Sequence, residues 1–147
     1  MQIAVLTFDG FNELDSFVAA AILNRLRGQG WEAHITAPTP KVTSMNGVTI
    51  ERQQPLDFAA KADAVIIGSS GLGRAAFDSF AELAKKEETA ATPLLLLVDR
   101  QFTGLLAQLP GAPHRKALAL PLNAGSLRKT LHALIRTRRE KDRDGET

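Results

Sequence analysis

The chain has 147 residues, no cysteine and a formal net charge of +2. That length predicts one domain able to bury about two thirds of its unfolded surface. The missing cysteine excludes disulfides, thiolate metal sites and a thiol nucleophile, and agrees with a reducing, cytoplasmic setting. With charge near balance, and apolar runs far shorter than the roughly 20 residues a membrane helix needs, neither a nucleic-acid nor a membrane partner is expected.

Ile3 to Leu6 is a short apolar run, the pattern of a strand covered on both faces. Asp9-Gly10 supplies a turn, after which Leu14, Phe17, Val18, Ile22 and Leu26 recur at helical spacing and predict the face that packs on the sheet. The helix stops near Gly28-Gln29-Gly30, and Trp31 to Thr36 alternates as a second strand. Lys41 to Ser44 and Val48 to Glu51 then flank Met45-Asn46-Gly47, whose Asn-Gly pair supplies the positive φ of a tight hairpin.

A short helical turn begins at Pro55-Leu56-Asp57, and Ala62 to Ile67 is another buried strand, ending in Gly68-Ser69-Ser70-Gly71-Leu72-Gly73. A helix with Ala75, Phe77, Phe80, Leu83 and Ala84 on one stripe follows. Leu94 to Val98 is a strand that turns at Asp99-Arg100, Gln101 to Gln108 a short helix, and Ala117 to Leu120 a last strand. Ser126 is the predicted cap of a final helix that buries Leu127, Leu131, Leu134 and Ile135 and dissolves into charge after Thr137. Residues 1–137 are thus expected to form a single domain and 138–147 a charged, disordered tail, its Lys and Arg complementing a helix C-terminus.

In parallel α/β folds ligands bind outside the carboxyl ends of strands, so Asp9 and Asp15 fall where a site is usually built. Asp15 in a first helical turn is equally explained as an acid that complements the helix dipole, worth under ~1 kcal/mol. Gly68 to Gly73 lacks both the Lys-Ser/Thr ending of a phosphate loop and the full dinucleotide fingerprint, so no cofactor is expected. No spacing demands a metal.

The order of elements resembles the ThiJ/PfpI family of the class I glutamine amidotransferase-like superfamily. The likeness rests on Phe8-Asp9-Gly10-Phe11-Asn12-Glu13-Leu14-Asp15, on the hairpin Val42 to Ile50, and on Ala62 to Gly73. It implies an α/β, flavodoxin-like three-layer sandwich with a mostly parallel sheet, helices on both faces and a small β-hairpin. Active members set a cysteine on a strand-to-helix elbow, facing an acid from the first helix and often a histidine from a later strand. Asp15 matches the acid. The elbow falls on Asp99, Arg100 or Phe102, and the histidine position on Leu120, so the thiolate chemistry of the family cannot occur here.

The resemblance therefore implies a catalytically degenerate domain that binds a small polar ligand or a protein partner. Its ligand-binding residues would be Asp15, Ser69, Ser70, Gly71, Asp99 and Arg100, the turn at Ser69 to Gly71 offering backbone donors. The alternative is a hydrolase or lyase in which Asp15 and Asp99 perform general acid/base work. The family domain is longer, with further strands before its closing helix, and its members often dimerise. The shortened sheet leaves an edge for a second copy, so a homodimer is expected.

Overall fold

The computed structural model describes residues 1–68, 92–98, 115–119 and 124–144. Eight strands are described: β1 (Gln2–Leu6), β2 (Glu32–Ala37), β3 (Lys41–Thr43), β4 (Thr49–Glu51), β5 (Gln54–Pro55), β6 (Ala64–Ile67), β7 (Leu94–Val98) and β8 (Arg115–Ala119). The described α-helices are α1 (Glu13–Asn24), α2 (Phe58–Lys61) and α3 (Ala124–Asp144), with a 3-10 turn at Arg27–Gln29. The expected helices over Ala75 to Ala84 and Gln101 to Gln108 lie outside the described residues. No helix among the described residues is long and apolar enough to cross a membrane.

Six strands form one sheet in the order β5-β2-β1-β6-β7-β8, with every pairing parallel. A parallel interior strand has no wet face, which is why β1, β6 and β7 read as unbroken apolar runs. Their side chains alternate between two cores. Ile3 and Val5 of β1, Ala64 and Ile66 of β6, and Leu95 and Leu97 of β7 join Ala19 and Leu23 of α1 and Leu127, Leu131, Leu134 and Ile135 of α3. Ala4, Leu6, Val65, Ile67 and Leu94 point the other way, onto Ala59 and Ala62. The expected flavodoxin-like α/β sandwich, with helices on both faces, is the observed one.

Before its pairing with β5 at Thr36 and Ala37, the outer side of β2 is closed by side chains. Asn24, the last residue of α1, donates from Nδ2 to the Ala33 carbonyl and accepts the Ala33 N–H at Oδ1, both at 3.0 Å. Two residues on, Gln53 Oε1 accepts the Ile35 N–H at 2.7 Å. Unpaired strand edges invite another chain, and these contacts consume the donors and acceptors that would do so.

The hairpin forms where the Asn-Gly signal places it, but not as a two-residue turn: β3 ends at Thr43, β4 begins at Thr49, and of the pair only Gly47 takes a positive φ. Strands β3 and β4 pair antiparallel through Val42 and Ile50, and Gly47 takes φ +82°. They form a two-stranded sheet of their own and dock on the loop between β1 and α1.

Two expectations are corrected. The first part of the apolar repeat does not face the core: Leu14 is 69% exposed, Phe17 37% and Val18 41%, whereas Ile22 and Leu26 are partly buried against it, and Asp15, Ser16, Ala19 and Leu23 are buried. The side of α1 toward the sheet approaches Gly68 too closely for large side chains, so small residues take it and the large ones turn outward. The final helix begins at Ala124, two residues before the expected cap Ser126, and continues through Asp144 instead of dissolving after Thr137. Ion pairs at i,i+4, Arg136–Glu140 at 3.6 Å and Arg138–Asp142 at 3.7 Å, support the added turns.

Candidate active site at the strand ends

From β1 the chain goes first to β2 and β5 on one side, then returns to β6, β7 and β8 on the other. The order therefore reverses between β1 and β6, and a crevice outside their carboxyl ends is where open α/β sheets bind ligands. Thr7 and Gly68 are the residues immediately past those ends.

Thr7 is fully buried and tied inward: its N–H donates to the Thr36 carbonyl at 2.8 Å and its Oγ1 to the same oxygen at 3.2 Å. Asp9 does not face a ligand. Its Oδ1 accepts the Thr43 N–H at 2.9 Å, and the Gly10 N–H donates to the Thr43 carbonyl at 2.7 Å, so the Asp-Gly turn is a clasp for the hairpin. Gly10 takes φ +79°, a conformation that side chains disfavour, which explains glycine there.

The clasp positions the first turn of α1. Asn12 is the N-cap, accepting the Leu14 N–H at 3.1 Å, and Asn46 at the hairpin tip donates from Nδ2 to Glu13 Oε1 at 2.8 Å. The Glu13 carboxyl is held below its ordinary value, first by its own backbone N–H, then by Asn46 and, less, by Ser44, against a smaller opposing effect of desolvation. Below this turn, Phe11 is buried and meets Phe17 edge-on at 5.9 Å between ring centroids. The helix thus enters at a fixed angle.

That entry turns Asp15 and Ser16 inward, leaving them 7% and 1% exposed. Both press on Gly68. A Cβ built on Gly68 would lie 2.9 Å from Ser16 Oγ and 3.3 Å from Asp15 Cβ, so only glycine lets the end of β6 and the helix approach this closely. Ser16 Oγ is buried without a hydrogen-bond partner among the described residues. An unmet buried hydroxyl costs about 1–3 kcal/mol, and a ligand atom at this point would recover it.

Of the predicted site residues, Asp15 is described, as a buried side chain packed against Gly68 just past the end of β6. Ser69, Ser70, Gly71, Asp99 and Arg100 lie outside the described residues. Sequence reasoning missed Ser16, because a serine beside an acid in a first helical turn reads as capping chemistry. The available signal was spacing: Ser16, Ala19 and Leu23 form an inward stripe of small, small and large side chains.

The strand order, the hairpin docked on the β1–α1 loop and an inward acid on α1 define a DJ-1-like α/β fold. The structure matches a cysteine-to-alanine mutant of a DJ-1 superfamily protein of Salmonella typhimurium with TM-score 0.58 and 17% identity, over 97% of this chain and 96% of that one. A DJ-1 superfamily protein of Agrobacterium tumefaciens matches with TM-score 0.58 and 16% identity, over 91% and 90%. Oxidized DJ-1 of Toxoplasma gondii matches with TM-score 0.56 and 14% identity, over 92% and 89%. No protein-family model and no curated protein matches the sequence. The likeness is one of fold, with the ThiJ/PfpI architecture carried on a chain that has no cysteine.

Proposed function

We propose that this chain is a catalytically degenerate member of that fold group, binding a small ligand that carries hydroxyl or amine donors in the crevice outside β1 and β6. The observation that carries this reading is Ser16 Oγ, buried without a hydrogen-bond partner among the described residues, beside Asp15 and against Gly68. A donor on the ligand would satisfy the serine oxygen and find a second acceptor in the carboxylate. Without cysteine there is no thiolate to carry a covalent step.

Ligand-observed NMR with glycerol, ethanolamine and acetate tests it. Glycerol or ethanolamine should bind, Ser16→Ala and Asp15→Asn should each weaken that binding, and acetate should be repelled. Failure of both donor probes, or binding indifferent to both substitutions, refutes the site. Turnover in hydrolase, glyoxalase or deglycase assays that is lost on Asp15→Ala refutes degeneracy and favours carboxylate chemistry.

A second copy is the partner inferred for the outer face of α1. Leu14, Phe17 and Val18 are exposed there, and Met45 and Val48 are exposed on the hairpin whose tip holds Glu13. An apolar patch of this kind on a soluble domain is the mark of an interface, and a two-fold pairing would make it self-complementary.

A further inference from the structure

The 21 residues of α3 span about 31 Å, against about 17 Å for a five-residue strand, so the helix outruns the sheet it covers. It follows β8 and runs back from the carboxyl ends of the strands toward their amino ends. From Arg136 to Asp144 no described side chain is buried. This stub lies at the opposite end of the domain from Ser16 and is independent of the ligand reading.

Charge is sorted around the helix. At about 100° per residue, Arg128, Lys129, Arg136, Arg139 and Arg143 all fall within one arc of about 100°, and all five are exposed. Glu140, Asp142 and Asp144 fall outside that arc. Arg136 is paired with Glu140, but Arg128, Lys129, Arg139 and Arg143 have no carboxylate partner among the described residues. The buried stripe of Leu127, Leu131, Leu134 and Ile135 adjoins the arc on its Arg128 side.

We infer that this arc is a docking surface for the phosphate backbone of a nucleic-acid duplex. The net charge of the whole chain hid it, because acids elsewhere in the chain and on the other faces of α3 offset cations that are grouped on one helix face. Three features select this partner. The arc has no apolar side chain to insert into a lipid surface, since the apolar stripe of α3 is spent on the core. Four of its five cations are arginine, whose planar fork suits phosphate oxygens. A straight row about 22 Å long matches a rigid duplex, which carries a charge every ~1.7 Å of its axis.

The arc carries no adenine reader, and only its cations could contact a base edge, at guanine. It holds no Asn or Gln, and its one ring, His132, is engaged edge-on with Trp31 at 4.9 Å. Binding is therefore driven mainly by counterion release, and is weaker on a single strand, which would need stacking platforms.

Fluorescence anisotropy of a labelled 20-base-pair duplex and of one of its strands, each titrated with the full chain between 50 and 200 mM salt, tests the inference. With four to five phosphates neutralised, the logarithmic salt slope should be about −4, a loss of roughly 200-fold across that range. Arg128→Glu combined with Arg139→Glu and Arg143→Glu should weaken duplex binding at least tenfold at 50 mM salt. Arg139→Gln with Arg143→Gln, which keeps good helix formers, should flatten the slope by about 2. Duplex affinity that is salt-independent, unchanged in both variants, or undetectable at 100 μM protein overturns the inference. So does capture by phosphatidylserine vesicles under conditions where the duplex is not bound.

Discussion

Gly68→Ala tests whether the contact between α1 and the end of β6 is as tight as the geometry says. The added methyl would sit 2.9 Å from Ser16 Oγ and 3.3 Å from Asp15 Cβ, the first of which real side chains do not tolerate. Overpacking of this kind costs about 1–3 kcal/mol. Gly68 does not have a positive φ, so alanine is not strained by the backbone and regains about 0.4–1 kcal/mol by restricting the unfolded chain. The net expectation is a destabilisation of about 1–2 kcal/mol. Ser16→Ala should behave oppositely, because it deletes a buried hydroxyl with no described partner and leaves stability equal or higher. Combining the two removes the closer clash, so the cost of Gly68→Ala should shrink by about 1 kcal/mol in the Ser16→Ala background. Trp31, the single tryptophan and buried, reports urea unfolding for all four proteins of this cycle. A Ser16→Ala protein less stable by more than about 1 kcal/mol would show that the hydroxyl is bonded within the fold. Additive effects would show that Gly68 and Ser16 do not touch, and the site as described would fall.

Three further outcomes are expected. Asn24→Ala should lower stability by about 1–3 kcal/mol with an unchanged urea m-value, since it strands both the N–H and the carbonyl of Ala33; a loss below about 0.5 kcal/mol contradicts the edge clasp. The lowered Glu13 carboxyl contributes stability that is complete above its unfolded value and fades as pH falls through its lower folded one. Thermal melts between pH 5 and pH 3 should accordingly fall more steeply for the native chain than for Asn46→Ala, and equal slopes would remove Asn46 from the account. Leu14→Glu with Val18→Glu should convert a dimer to a monomer in sedimentation velocity at unchanged melting temperature, whereas a native chain that sediments as a monomer defeats the proposed pairing.

The sheet was readable because its interior strands have no polar face to disguise: Ile3 to Leu6, Ala62 to Ile67 and Leu94 to Val98 could each be placed from composition alone. The hairpin was readable because Asn46-Gly47 has few other uses. Helix α1 misled for a physical reason. Periodicity reports where large apolar side chains cluster, but a helix laid against a strand end is packed by its smallest residues, so Leu14, Phe17 and Val18 were assigned inward and belong outside. The same geometry hid Ser16. Asp15 was located, though its burial could not be told from a dipole role, and Asp9 was drawn toward chemistry when its oxygen holds Thr43. The length of α3 escaped because seven bases and four acids from Ser126 onward read as a frayed end, while their i,i+4 partnering is legible only once the helix is in view.

Because β3 and β4 pair only with each other, the hairpin is fastened to the domain by the Thr43 clasp, the Met45 N–H to the Phe11 carbonyl at 2.9 Å, the Asn46–Glu13 bond and a small core in which Val42 and Ile50 pack with Phe11 and Ala37. It can lift away at far less cost than unfolding the sheet, so the Gly10, Thr43 and Met45 amides should exchange with deuterium together, well before those of Leu6 and Ile66. Lifting it would also release the turn that aims Asp15 and Ser16. A molecule seated in the crevice would slow exchange in a hairpin that it never touches, and amino-acid changes along residues 41–51 can retune the crevice from outside.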